Sequence, residues 1–117
     1  MPGLKASVKG KFMGLFDFFR GTNINDGIQQ FKDTEGALLI DVRGDGEFRQ
    51  GHIPGSVNIP LQRLKDIKKY ANKDTPLFLY CLSGARSGRA VNTLVGMGYK
   101  AVTNIGGIAS YKGEIER

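Results

Sequence analysis

The stretch Leu77–Gly88 reads LFLYCLSGARSG. It opens as a continuous apolar run, the pattern of a strand covered on both faces. At Cys81 it breaks into a loop of small residues carrying one arginine, and helix-forming spacing follows. Strand, loop and helix in that order form the unit of a parallel α/β sheet, whose functional groups gather beyond the carboxyl ends of the strands. Cys81 is the only cysteine in the chain. Two readings compete for it: a packed core thiol, the commonest fate of a lone cysteine, and a nucleophile held at a strand end.

The alternation continues on both sides. ALLIDV (37–42) lies between Gly36 and Gly44 and predicts another buried strand. GHIPGSVNIP reads as a turn into a short strand at 57–59, and AVTNI (101–105) as a further strand. Between them, NDGIQQFKD predicts a short helix with Asn25 or Asp26 as N-cap and Ile28 and Phe31 inward. GDGEFRQ predicts a second, which Gly44 and Gly46 weaken by about 1 kcal/mol each. Leu61, Leu64, Ile67 and Ala71 mark the inner face of a third, with Lys65, Asp66, Lys68 and Lys69 outside. Ala90, Val91, Leu94 and Val95 mark a fourth, which Gly98 stops, and GGIASYKGE reads as a last short helix. Strands alternating with helices specify an α/β fold with a parallel sheet covered on both faces.

A chain of 117 residues has the size of one domain. The pattern divides it into a tail, residues 1–21, and a domain, residues 22–117. The net charge is +6, but the first twelve residues supply three lysines and no acid, leaving +3 for the rest. Met13 opens MGLFDFFRG, so residues 1–12 read as either an appended stretch foreign to the protein or an over-long start. The remaining lysines are scattered and no aromatic–basic interleaving suits stacked bases, so a nucleic-acid partner is not expected. Nothing approaches the roughly 18 apolar residues of a membrane span. The apolar piece Phe12–Phe19 is interrupted by Asp17 and followed by no small-residue cleavage site, which disfavours a secretory signal. One cysteine forms no internal disulfide, and the expected setting is the reducing cytoplasm.

The loop after Cys81 has the chemistry of an anion site. Main-chain N–H groups and the start of the next helix should point at the sulfur, stabilise its thiolate and depress its pKa. After Leu82, the residues Ser83, Gly84 and Ala85 are small enough to let the chain curl around one point. Arg86 adds a permanent cation with a planar fork of donors suited to an oxyanion such as thiosulfate. Ser87 either hydrogen-bonds the thiolate or caps the helix, and Arg89 adds to the positive field at the entrance. The packed-thiol reading accounts for Cys81 and leaves Gly84, Arg86 and Ser87 without a reason.

The motifs together resemble the single-domain rhodanese family. They are Asp41-Val42-Arg43, Glu47-Phe48, Gly51-His52-Ile53-Pro54-Gly55, Asn58-Ile59-Pro60, the cysteine loop and Gly106-Gly107-Ile108, in family order over about residues 22–113. The resemblance implies a three-layer α/β/α fold around a mostly parallel sheet of about five short strands. It further implies a thiosulfate sulfurtransferase working through a Cys81 persulfide. The main chain of residues 82–86 would hold the outer sulfur, and Arg86 and Ser87 would help bind the donor. The acceptor would be cyanide, a thiol or a protein cysteine, and neither metal nor cofactor is needed. The alternative is a sulfur-relay, redox-sensing or protein-binding module of the same fold. Phosphatases of this fold carry five residues between cysteine and arginine; the four here, Leu82 to Ala85, make a ring sized for one sulfur atom.

Several other residues attract a functional reading. His52, the only histidine, fits the structural turn of the Gly-His-Ile-Pro-Gly motif better than a general base. Asp41 is expected to cap the turn after its strand and pair with a neighbouring arginine, and Arg43 to pair with Glu47. Asp41, Arg43 and Arg89 would then act on the site only through other residues. Gly106-Gly107 is expected to allow close main-chain packing near the loop, since no wider glycine pattern for phosphate surrounds it. Tyr111 stands where the family commonly has tryptophan.

Overall fold

The computed structural model describes residues 23–117, so the tail reading of residues 1–21 lies outside them. The elements in chain order are α1 (Ile24–Lys32), β1 (Leu38–Asp41), α2 (Asp45–Gln50), β2 (Val57–Asn58), a 3-10 segment (Leu61–Lys69), β3 (Leu77–Cys81), α3 (Ala85–Gly96), β4 (Val102–Gly107) and a 3-10 turn (Ile108–Ser110). The strands form one parallel sheet in the order β2-β1-β3-β4. Each apolar run supplies one strand, so the described sheet has four strands against an expected five or so. The order reverses between β1 and β3, and Cys81 ends β3 beside that switch point, where open α/β sheets place their ligands.

Alternation along the central strand builds two cores. Leu77, Leu79 and Cys81 face α3 and the 3-10 segment, packing with Ile40, Leu64, Ile67, Ala90 and Leu94. Phe78 and Tyr80 face α1, packing with Ile24, Ile28, Leu39, Ile53 and Ile105. Three layers follow from that period of two. Gly27 lets α1 approach β4, because a Cβ there would collide with the Ile105 side chain.

Several boundaries differ from expectation. The N-cap of α1 is Asn23, whose side chain accepts from the Asn25 N–H at 2.8 Å, in place of Asn25 or Asp26. Leu61, Leu64 and Ile67 sit on a 3-10 segment kinked at Arg63 instead of an α-helix; their spacing of three matches its three residues per turn. Gly106 and Gly107 end β4, so only Ile108–Ser110 of the last expected helix is helical. Gly98, at φ +100°, ends α3 in the left-handed conformation as expected.

Candidate active site

Asp41, Arg43 and Ser87 are the buried polar residues of the described chain, and all three lie near the carboxyl edge of the sheet. Cys81 is itself buried, at 1 % exposure, at the base of a loop whose rim carries the exposed Leu82, Ser83 and Ala85. Gly84 is the N-cap of α3 and holds φ +105°, a left-handed conformation that strains a side chain. Having no side-chain cap, the first turn of α3 keeps its N–H groups for the sulfur. Gly84 N–H donates to Cys81 Sγ at 3.0 Å and Ser87 N–H at 3.4 Å, with the Ser87 hydroxyl 3.5 Å away. Burial pushes the thiol pKa up, but the Ser87 hydroxyl and the amides of Ser87, Gly84 and Ser83 outweigh it, and the net direction is down.

The glycine pair closes the far side of the loop. Gly107 pairs with Cys81 across β3 and β4, and a Cβ on Gly107 would overlap Leu82 O and Ser83 Cα. The Leu82 carbonyl accepts from Ala109 N–H at 3.1 Å, which ties the loop to the turn after β4. Close main-chain packing, expected of Gly106-Gly107, is what these positions show.

Charged residues pair differently from the sequence expectation. Asp41 takes Arg43 through Nε and Nη2, the shortest contact being 2.7 Å, and accepts the Arg43 main-chain N–H as well. Arg43 also donates to Gly51 O at 2.7 Å. Glu47 turns away from Arg43 and binds both terminal nitrogens of Arg86, at 2.8 and 3.0 Å. The Arg86 guanidinium holds the Glu47 carboxyl down at about 2, burial opposing it and the Gly44 N–H assisting. The expected Arg43–Glu47 pair therefore does not form. Its i, i+4 spacing carries no helical geometry, because α2 begins only at Asp45. Arg86 comes to the loop as half of an ion pair. Arg89 is exposed on α3, and no side-chain hydrogen bond or ion pair among the described residues draws it to the sulfur.

His52 stacks flat on Phe48 with ring centroids 3.7 Å apart, and its Nδ1 lies 2.8 Å from Phe48 O. Its main chain pairs with Glu116, so the histidine belongs to a structural turn. Two residues escaped the sequence reading. One is Glu47 as the partner of Arg86. The other is Asn104, whose Oδ1 accepts from the Ser87 hydroxyl at 2.7 Å and whose Nδ2 donates to Gly84 O at 3.0 Å. A polar residue inside the apolar run AVTNI, just before two glycines, was the available signal.

Two grooves flank these elements. One of about 310 Å³, lined by Ile28, Phe31, Ile53 and Tyr111, lies away from the cysteine loop. The other, about 540 Å³, is bordered by Ser83, Gly106, Gly107, Asn25 and Lys112 and gives an approach to the loop. No three His, Cys, Asp or Glu side chains cluster as metal ligands among the described residues, and no described helix is long and apolar enough to cross a membrane.

Fold and loop define a doubly wound α/β domain that holds a cysteine sulfur among main-chain donors at a strand end. The model of the rhodanese-like domain matches residues 25–114, and the chain belongs to that family. Relatives include the uncharacterized protein YqhL of Bacillus subtilis (strain 168), 46 % identical over 81 residues, which cover 68 % of this chain and 64 % of that protein. The chain thus spans a little under two thirds of that relative's length. Thiosulfate sulfurtransferase PspE of Escherichia coli (strain K12) is 39 % identical over 71 residues, 59 % of this chain and 68 % of its own. Among solved structures, a rhodanese with anions from E. coli superposes with a TM-score of 0.63 at 32 % identity, covering 69 % of this chain and 98 % of that one. The rhodanese-like family and its fold are thereby assigned.

Proposed function

We propose that this chain is a sulfurtransferase that moves a sulfane sulfur from thiosulfate or a persulfide donor to a thiophilic acceptor through a persulfide on Cys81. The observation that carries the reading is the set of main-chain donors on Cys81 Sγ, Gly84 N–H at 3.0 Å and Ser87 N–H at 3.4 Å. They favour the thiolate, the form that attacks sulfur. In the first half-reaction Sγ attacks the outer sulfur of thiosulfate. A new S–S bond forms, the old one breaks, and sulfite leaves with that electron pair. In the second, cyanide, a small thiol or a protein cysteine attacks the outer sulfur of the persulfide, and the Cys81 thiolate is released. The amides of Leu82 to Arg86 would hold the charged outer sulfur, and Arg86 would meet the anionic donor with the N–H groups Glu47 leaves free. No redox partner or metal enters the balance.

A second reading is favoured by the Glu47–Arg86 pair. A carboxylate on the loop's cation offsets the charge that would draw in thiosulfate, which suits a relay module taking sulfur from a protein persulfide. One experiment addresses both. The protein is incubated with thiosulfate, its intact mass measured, and thiocyanate assayed after adding cyanide. One added sulfur with turnover, both lost in Cys81→Ala, supports the enzyme; one added sulfur without turnover supports the relay. No added sulfur on Cys81 refutes both.

A further inference from the structure

One proton faces three acceptors beside Cys81. Ser87 is fully buried, and its hydroxyl oxygen lies 2.7 Å from Asn104 Oδ1, 3.1 Å from Gly84 O and 3.5 Å from Cys81 Sγ. A serine hydroxyl has a single hydrogen to give. Gly84 O already receives Asn104 Nδ2 at 3.0 Å, so its need is met. Asn104 itself is fixed: Oδ1 takes the Gly106 N–H at 3.0 Å while Nδ2 reaches Gly84 O, and a flipped amide would lose both. The shift of register between β3 and β4, where Leu79 pairs with Asn104 but Tyr80 with Gly106, accompanies this placement. Of the donors on the sulfur, the Gly84 and Ser87 amides are held by the backbone. The Ser87 hydroxyl alone reaches a new partner by turning its hydrogen, with no heavy atom moving.

We propose that Asn104 is a positioning residue that holds the Ser87 hydroxyl hydrogen while Cys81 Sγ is uncharged and yields it to the sulfur when the thiolate forms. The role rests on the sulfurtransferase reading. When the persulfide forms, the negative charge moves from Sγ to the outer sulfur, and the hydroxyl turns back to Asn104. When the acceptor takes the outer sulfur, charge returns to Sγ and the hydroxyl meets it again. The hydroxyl hydrogen stays bonded to oxygen throughout, so no proton is transferred. Thiolate and persulfide are each matched by a donor arrangement that costs no rearrangement of the loop.

The charged groups around the sulfur leave Ser87 and Asn104 a clean readout. Arg86 in the first turn of α3 is paired with Glu47 of α2, Asp41 at the end of β1 with Arg43, Arg89 of α3 is exposed, and β4 carries no ionisable side chain. None is altered by substitution at Ser87 or Asn104.

The test is the pH dependence of Cys81 alkylation by iodoacetamide in the full chain, which needs no sulfur transfer. Ser87→Ala raises the midpoint by about 0.5–1 pH unit, the value of one hydrogen bond. Asn104→Leu lowers it, because the Asn104 oxygen no longer competes with the thiolate for the hydroxyl while Gly84 O keeps the Gly88 N–H at 3.0 Å, and this lowering vanishes when Ser87→Ala is also present. A rise in Asn104→Leu, or a shift of equal size with and without Ser87, overturns the proposal, since a loosened loop acts regardless of the hydroxyl. Should Asn104→Leu fail to fold, Asn104→Asp keeps the acceptor and grips the hydroxyl harder. Ser87→Ala in that background then moves the midpoint less than in the native chain, and an equal movement overturns the proposal. Failure of sulfur loading would leave these midpoints readable, so the two readings fail separately.

Discussion

Gly107 offers the sharpest test of how the sheet holds the cysteine loop. Its backbone, φ −124° and ψ 139°, is ordinary extended chain that alanine adopts freely. What excludes alanine is contact: an added Cβ would overlap Leu82 O and stand 2.6 Å from Ser83 Cα, where ordinary contact begins at 3.4 Å, so β4 or the loop must yield by at least about 0.8 Å. Both partners are main chain, and neither has a rotamer to turn. Overpacking of this kind costs about 1–3 kcal/mol. For a domain of this size the melting temperature should fall by about 5–20 °C. Moving the loop by that distance misplaces the amides that hold Sγ, and displacements near 1 Å cost roughly 100-fold in rate. Thermal unfolding and single-turnover sulfur loading from thiosulfate measure the two effects. Gly46→Ala is the control, because nothing lies within 4 Å of a Cβ there; it sits inside α2 and should stabilise by about 0.5–1 kcal/mol. A Gly107→Ala protein that melts and loads like the native one would refute the claim that close approach of β4 shapes the loop.

Other outcomes follow from the buried and paired groups. Glu47 is held at about 2 against an ordinary 4.5. Its folded pKa is the lower one, so its stabilisation is complete above about pH 4.5 and lost as pH falls toward 2. The raw shift corresponds to about 3 kcal/mol, which solvent screening of side chains 33 % and 38 % exposed reduces to about 1 kcal/mol. Urea titrations should show Glu47→Gln less stable by that amount at pH 7 and no less stable near pH 2; a gap independent of pH would count against the pair. The same variant releases Arg86, and the ratio of KM for thiosulfate to KM for an uncharged organic trisulfide should fall; an unchanged ratio would separate Arg86 from donor recognition. Tyr80 is fully buried with its hydroxyl accepting the Ile53 N–H and bonded to Ser56, both at 3.0 Å. Tyr80→Phe leaves that buried N–H unpaired and should cost about 1–3 kcal/mol in urea denaturation with sulfur loading intact; an unchanged midpoint would contradict it.

The elements and the anion loop were legible in the sequence because their signals are local. Apolar runs at 37–42 and 76–81 marked strands, Gly98 marked a helix end, and Cys81, Gly84, Arg86 and Ser87 stood within seven residues. Where local spacing was ambiguous the reading slipped. Leu61, Leu64 and Ile67 suit three residues per turn as well as 3.6, and Asn23 lay one position before the residues considered as caps.

What sequence alone determined was that a parallel α/β domain ends a buried strand on a cysteine ringed by small residues, because strand period, glycine freedom and helix start are properties of neighbouring residues. Tertiary structure decided the partners. Glu47 and Arg86 are 39 residues apart and Ser87 and Asn104 are 17 apart, distances over which a chain's spacing says nothing of contact. Arg43 was the nearer candidate for Glu47, yet Asp41 takes it in a buried fork, and Glu47 of α2 reaches across to Arg86 instead. The register of β3 and β4 likewise sets Asn104 beside Ser87, which makes one hydroxyl hydrogen the subject of a choice.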